Sequence, residues 1–377
     1  MGKYRYLVLG TGVGKAIAWW LARQEDTEHV MLTDISEERA FSVADDIRPG
    51  KEHRRVSVRA RALNVEQGNL HDVFGPHDVI ISALPAKYSM WLAQNAMECG
   101  RHFCELGGVV PVTRDMLGMH ALAEGFGVSI IPDCGLMPGL GVVMAQDLLD
   151  RLNTTAAKKV VIAAGGLPQK PEEPSNYQLI YSAEGLEHMC YDPAPVVRDR
   201  KVVEINPFDV IHRFPLQELT DVCPQFMSVE AFSSSGASVA PWNFAAQGVY
   251  RFDELTLRWP GFVDTFQGLS REQFREVIER LPRTDHAHPD VAFMRVTAET
   301  LSGEYLSYRL LDRFDPRSGL SAMERTTGFS AAALARMQAQ GRTLNGVLTP
   351  EKALNADRRK EYLTEVGRWI NIRADLG

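Results

Sequence analysis

Three glycines within five residues, placed where an apolar strand should end, restrict the fold of this chain more than any other stretch. Tyr6–Leu9 is a short apolar run suited to a buried strand. It breaks at Gly10-Thr11-Gly12-Val13-Gly14, and Lys15–Arg23 then reads as a helix. Strand, glycine turn and helix form the first half of a βαβ unit. In such a unit glycines let the backbone approach a pyrophosphate, and the helix N-terminus offers N–H groups and a partial positive charge. Gly10, Thr11, Gly12, Val13 and Gly14 are therefore candidate cofactor contacts. The spacing departs from the GxGxxG fingerprint: Lys15 stands where the third glycine belongs, and Gly14 comes one residue early. Losing one residue moves the helix start by about 1.5 Å and turns it by about 100°. The plain alternative is a glycine turn without a ligand. A P-loop does not fit, because Ala16 follows Lys15 where Ser or Thr is needed.

The alternation continues. Glu28–Asp34 reads as a second strand closing on an acidic residue 24 positions after Gly10. At that spacing a carboxylate accepts from the ribose hydroxyls and repels a 2′-phosphate, which favours NAD over NADP. The alternative is that Asp34 only starts the turn before a Ser36–Ile47 helix capped by Ser36. Strands follow at Val56–Leu63, Asp78–Leu84, His102–Leu106 and Val128–Pro132, with helices at Gln67–Phe74, Ser89–Cys99 and Arg114–Glu124. This rhythm predicts a Rossmann-type doubly wound parallel sheet, with ligands at the carboxyl ends of its strands.

Three such ends carry polar or special residues: Ala83–Tyr88, Glu105–Gly108 and Asp133–Gly139. Ala83, Leu84 and Pro85 join the cofactor candidates, as does Cys134, whose alternative is a small buried filler. A lysine desolvated beside a positively charged nicotinamide loses its proton readily, which makes Lys87 a candidate general base. A solvated loop lysine is the alternative. Tyr88 and Glu105 are candidates to assist it.

Composition excludes several classes. With 45% hydrophobic and 24% charged residues in 377, the chain reads as a globular protein of two or three domains. A net charge of −7 argues against a nucleic-acid partner, which needs a basic face. The opening residues read as a strand rather than a leader, and the apolar stretches are too short for a membrane span. Five cysteines without a CxxC suit reduced thiols in a cytoplasmic protein. His286 and His288 form a His-x-His without a third ligand at matching spacing, so no metal is expected.

From about Leu148 the pattern changes. Lys159–Ala164, Tyr177–Ser182, Val202–Ile205, Met227–Phe232, Glu254–Trp259, Val291–Ala298 and Tyr305–Arg313 alternate polar and apolar residues, as half-buried antiparallel strands do. Leu255, Leu257 and Trp259 share one face, with Thr256 and Arg258 on the other. Within Phe226–Trp242, Ser235 and Trp242 are candidate substrate contacts; a strand-connecting turn is the alternative for the serine run. The tail is helical again, with Ser330 expected to cap Ala331–Gln340 after a Gly328-Phe329 turn and a last helix over Asn355–Ile370. The expected organisation is a dinucleotide-binding domain over 1–132, an α+β domain with a mainly antiparallel sheet over 133–320, and C-terminal helices over 321–377.

Several motifs carry a resemblance: HFCELGG (His102–Gly108), IIPDCGLMPGLG (Ile131–Gly141), Gly165-Gly166-Leu167-Pro168-Gln169, Asn176-Tyr177-Gln178-Leu179, Glu184-Gly185-Leu186 and SAMERTTGFSAAALA (Ser321–Ala335). Together they resemble the lysine 6-dehydrogenases of the saccharopine dehydrogenase-like group. Two positions depart from that family's pattern: the glycine turn is one residue short, and Glu105 replaces the usual Asp. The resemblance implies NAD-dependent oxidative deamination, in which a neutral amine gives a hydride to NAD+ and the iminium is hydrolysed. For the ε-amine of L-lysine the product is 2-aminoadipate semialdehyde, which cyclises to a piperideine carboxylate. It also implies Asn176 and Tyr177 as substrate contacts, tail helices packed on the nucleotide domain, and a homo-oligomer, dimer or larger. Two alternatives remain open. One is a saccharopine-type dehydrogenase acting on a secondary amine, with Arg198, Arg200 and Arg213 as candidate clamps. The other is a catalytically silent NAD-binding or ligand-sensing protein.

Overall fold

A computed structural model describes residues 3–48, 50, 56–153 and 157–376. The first third holds β1 (Tyr4–Leu9), α1 (Gly14–Leu21), β2 (Thr27–Asp34), α2 (Glu37–Ile47), β3 (Ser57–Ala62), α3 (Leu70–Phe74), β4 (Val79–Ser82), α4 (Ser89–Glu98), β5 (His102–Glu105), α5 (Val110–Leu117), α6 (His120–Gly125) and β6 (Ser129–Ile131). The middle runs through α7 (Leu140–Arg151), β7 (Lys159–Pro168), α8 (Ala183–Tyr191), β8 (Ala194–Arg198), β9 (Lys201–Ile205), β10 (Ile211–Pro215), β11 (Ser228–Phe232), α9 (Ala240–Ala246), β12 (Arg251–Arg258), α10 (Phe262–Phe266), α11 (Arg271–Arg280), β13 (Asp290–Glu299) and β14 (Tyr305–Arg313). The tail adds α12 (Ala322–Ala339), β15 (Gly346–Val347), α13 (Pro350–Ala353), α14 (Ala356–Gly367) and β16 (Ile372–Asp375). Two compact units result: Met1–Val143 with Glu324–Trp369, and Met144–Met323 with Ile370–Gly377.

In the first unit the strands lie in the order β15-β6-β5-β4-β1-β2-β3, paired in parallel. From β1 the chain builds outward through β2 and β3, then crosses to start β4 on the other side of β1. That reversal opens a crevice at the carboxyl ends of β1 and β4, where doubly wound sheets bind their ligands. Tyr6, Leu7, Val8 and Leu9 of β1 are completely buried, as a strand covered on both faces requires. Helix α12 packs on α1: a Cβ at Gly328 would stand 2.7 Å from that of Ala16. The Trp19 and Phe329 rings stack beside this close approach, 5.6 Å apart.

In the second unit the main sheet follows the order β10-β11-β12-β7-β13-β14-β16, with β8 and β9 attached beside β12. Its pairings are antiparallel except for β12 with β7. One face packs Leu216, Leu219, Leu255, Leu257, Trp259 and Phe293 into a core. The other is covered by Tyr177, Leu186, Phe262, Phe266 and Phe274.

Several expectations need correction. Arg114–Glu124 is two helices, because α5 ends at Gly118 and the chain turns again before α6. Tyr177–Ser182 is not a strand: Leu179 makes one isolated bridge with Arg283, and the segment's apolar side chains fill the helix-covered core instead. Ser330 does not cap a helix, and Gly328-Phe329 is no turn; all three lie inside α12, where the Ser330 hydroxyl donates to the Thr326 carbonyl at 2.6 Å. Helices α8, α9 and α11 lie between the expected strands, where no helix was expected. The signal for α11 was present, since Ser270 and Gln273 form a reciprocal capping box.

Candidate nucleotide and substrate sites

The glycine turn sits at the β1–β4 crevice. Gly10 has φ +92°, and a Cβ there would stand 3.0 Å from the Ala83 carbonyl oxygen, so β4's exit runs directly against the turn. Nothing lies within 4 Å of where a Gly12 Cβ would be, so space is open above the middle of the turn. A Cβ at Gly14 would come within 3.0 Å of Val8 Cγ1. Gly14 thus does what a third glycine does, bringing helix against strand, one residue early. Helix α1 has no acidic residue in its first turn, so no side chain there offsets the positive end of its dipole, while its Lys15 and Ala16 N–H groups donate to the Gly12 and Val13 carbonyls at 3.0 Å.

Asp34, at the end of β2, faces this turn. Its Oδ2 accepts from the Thr11 hydroxyl at 2.5 Å and from the Thr11 N–H at 3.3 Å, and its Oδ1 accepts from the Ser36 N–H at 3.1 Å. Burial alone would raise its pKa, but these hydrogen bonds, with Arg39 nearby, bring it below the usual carboxylate range. The arrangement fits a dinucleotide: an open glycine turn, a helix start without acidic side chains and a fixed carboxylate on the neighbouring strand.

Lys87 and Tyr88 lie in a short 3-10 turn, Ala86–Tyr88, between β4 and α4. Lys87 is exposed rather than buried in a desolvated niche. Its ammonium stands 4.8 Å from the Tyr88 ring, whose hydroxyl donates to Glu66 at 2.7 Å. Glu105 is only 3% exposed and does not face open space. Its Oε2 accepts from the Ser89 hydroxyl and the Gly107 N–H, both at 2.9 Å, and its Oε1 from the Asp133 N–H at 3.0 Å. Burial raises its pKa against those bonds. Glu105 therefore ties down the start of α4 through Ser89, the residue after the 3-10 turn, rather than facing open space.

Asp133 returns the tie across the ends of β5 and β6, its Oδ1 accepting from the Gly108 N–H at 3.0 Å. A Cβ at Gly107 would stand 2.0 Å from that same oxygen, and Gly107 has φ +66°. Cys134 needs correction as a cofactor contact. It is completely buried, donates to the Ile131 carbonyl at 3.1 Å, and burial, with Cys104 beside it, pushes its thiol well up.

In the second unit the candidate contacts divide. Asn176 is buried with φ +51°, its amide spent on the Pro260 carbonyl at 2.8 Å, so it shapes a turn. Tyr177 is 2% exposed and packs edge-on against Phe262, 5.1 Å between ring centres. Ser235 and Trp242 are half-buried. Sequence reasoning missed the polar face of β12, where Glu254, Thr256 and Arg258 are all buried. The Ser234 hydroxyl donates to Glu254 Oε2 at 2.9 Å; burial nonetheless pushes Glu254 up to about 7. Arg258 donates to the Tyr181 hydroxyl at 2.9 Å and lies 4.9 Å from the Tyr177 ring, while its Nε has no hydrogen-bond partner among the described residues. Alternating polarity in Glu254–Trp259 reads as a solvent-facing strand. Only the aromatic run Tyr177, Tyr181, Phe262 and Phe266 could have hinted at a cover.

Comparison with known proteins adds to this geometry. The family model described as the saccharopine dehydrogenase C-terminal domain matches residues 135–370, and that described as the saccharopine dehydrogenase NADP binding domain matches residues 6–131. Mitochondrial α-aminoadipic semialdehyde synthase of Mus musculus is 23% identical over 210 residues, covering 54% of this chain and 21% of that protein. The α-aminoadipic semialdehyde synthase of Arabidopsis thaliana is 25% identical over 208 residues, 52% of this chain and 18% of that protein. The chain thus spans about a fifth of the length of these relatives. Among solved structures, saccharopine dehydrogenase (L-Glu forming) from Saccharomyces cerevisiae shares the fold with a TM-score of 0.75 at 15% identity, over 99% of this chain and all of that one. Homospermidine synthase from Legionella pneumophila, solved in complex with NAD, follows with a TM-score of 0.64 at 13% identity, over 100% of this chain and 92% of that one.

Proposed function

The chain belongs to the saccharopine dehydrogenase family, and we propose that it is an NAD-dependent dehydrogenase that oxidises the ε-amine of L-lysine. The observation that carries the cofactor half is Asp34, held ionised at the glycine turn by Thr11 and Ser36. There it accepts from ribose hydroxyls and repels a 2′-phosphate. Gly10–Gly14 and the start of α1 hold the pyrophosphate, with Ala83, Leu84 and Pro85 beside them. The bound nicotinamide supplies the hydride acceptor.

Lys87 takes the proton from the substrate ammonium, which must be neutral before its carbon can give up hydride. Tyr88 lies against Lys87, and Glu105 fixes Ser89, the next residue in the chain. A small amino acid is the partner proposed, and a homo-oligomer the working assembly. A second reading is favoured by the named relatives: a saccharopine-type reaction on a secondary amine. Against it, Arg198, a candidate clamp for the second carboxylate arm, is committed to Asp253 at 2.5 Å. Initial rates of NAD+ and NADP+ reduction against lysine, ornithine and saccharopine test the proposal. Lysine with NAD+ should be fastest; activity on none of them refutes it.

A further inference from the structure

Three arginines stand side by side on the second unit's sheet. Arg295 of β13 is in register with Arg309 of β14, and Arg309 with Arg373 of β16. Residues directly opposite on neighbouring strands point to the same face, and like charges so placed repel. One carboxylate relieves them. Glu218, in the 3-10 turn Gln217–Leu219, lies 2.5 Å from Arg295 and 3.4 Å from Arg309. Burial works to raise its pKa, but its own N–H and the two arginines keep it low, so it is ionised. Asp221, on the same connection, is spent on Arg313 at 2.6 Å. Arg373 forms no ion pair among the described residues. Two positive charges are left over.

The row borders open space. A pocket of about 400 Å³ is lined by Pro215, Gln217, Glu218, Arg295 and Arg309. A second, of about 170 Å³, shares Glu218 and Arg309 and adds Arg373 over an apolar floor of Phe293 and Leu311. Strands lie about 4.8 Å apart, so the three guanidinium forks span about 10 Å. We propose that this row binds a small dianion, a phosphate group or a dicarboxylate, with its oxygens bridging adjacent arginines. Forked N–H donors suit both chemistries, and the apolar floor accommodates a short carbon chain between two carboxylates.

Calorimetric titration of the full chain with inorganic phosphate and with glutarate, at constant ionic strength set by NaCl, tests the site. Saturable binding near about 1 mM by either probe is expected; phosphate alone marks a phosphate-type ligand, glutarate alone a dicarboxylate. Arg373→Gln should weaken it about tenfold or more, the loss of one charged hydrogen bond, and Glu218→Gln should tighten it. Unchanged thermal melting of both variants establishes that they fold. Binding that is absent, or equal in Arg373→Gln, overturns the proposal. So does an oligomer that dissociates in Arg373→Gln without any anion bound, since the row is then a contact between copies.

Discussion

Asp34 ties the glycine turn to the start of α2 through one carboxylate, and in the proposed function it sets the preference for NAD. Asp34→Ser should weaken NADH binding about 10- to 100-fold, the worth of hydrogen bonds to a charged group, and narrow the gap to NADPH; fluorescence titration reads both. Lys87→Met should lower kcat by about 10²- to 10⁴-fold with little effect on NADH affinity, as removal of a general base does. Turnover near that of the parent would take the proton-transfer role away from Lys87. Glu254 carries a pH signature. Folded, it keeps its proton to about 7 rather than the ordinary 4.5. The stability this gives is complete below the unfolded value and is lost as pH rises through the folded one. Urea unfolding of the parent relative to Glu254→Gln should therefore fall by roughly 3 kcal/mol across that window. At this scale the placement of residues was readable where spacing fixes it: Gly10 turns the chain at the end of β1 with φ +92°, and Asp34 closes β2 beside that turn. The sequence misled where burial decides. Glu105 and Cys134 sit at a ligand-binding edge by position, yet their side chains point into the protein.

The shortened glycine turn belongs to the scale of elements. It still launches α1, because Gly14 lets the helix press on β1 where Val8 leaves 3.0 Å for a Cβ. Gly14→Ala should push helix from strand, costing about 1–3 kcal/mol as overpacking does, and weaken NADH binding; a melt and a titration on one variant show both. Parallel strands were legible as apolar runs, since both their faces are covered. The second sheet was harder to read, because alternation implies one wet face. Helices covered that face at β12, and those helices (α8 and α11) fall in stretches for which no element was expected. The tail motif resolved differently again: its Gly328 serves the contact of α12 with α1, not a turn.

For the molecule as a whole, each unit builds its sheet by a different pairing rule, and each carries its own chemistry. The first holds the glycine turn, Asp34 and the Lys87–Tyr88 turn at one edge of a parallel sheet. The second holds a buried Glu254–Arg258 face and an arginine row. Family motifs were legible over most of the chain, but several act inside the fold: HFCELGG and IIPDCGLMPGLG interlock through Glu105, Gly107 and Asp133 rather than by presenting side chains to a ligand. Among the described residues no helix is long and apolar enough to cross a membrane. The proposed hydride transfer from the ε-carbon of lysine to NAD+ is tested most directly with lysine deuterated at that carbon and mass analysis of the reduced cofactor. One deuterium in each NADH formed is expected. NADH without deuterium, or no NADH at all, would contradict it.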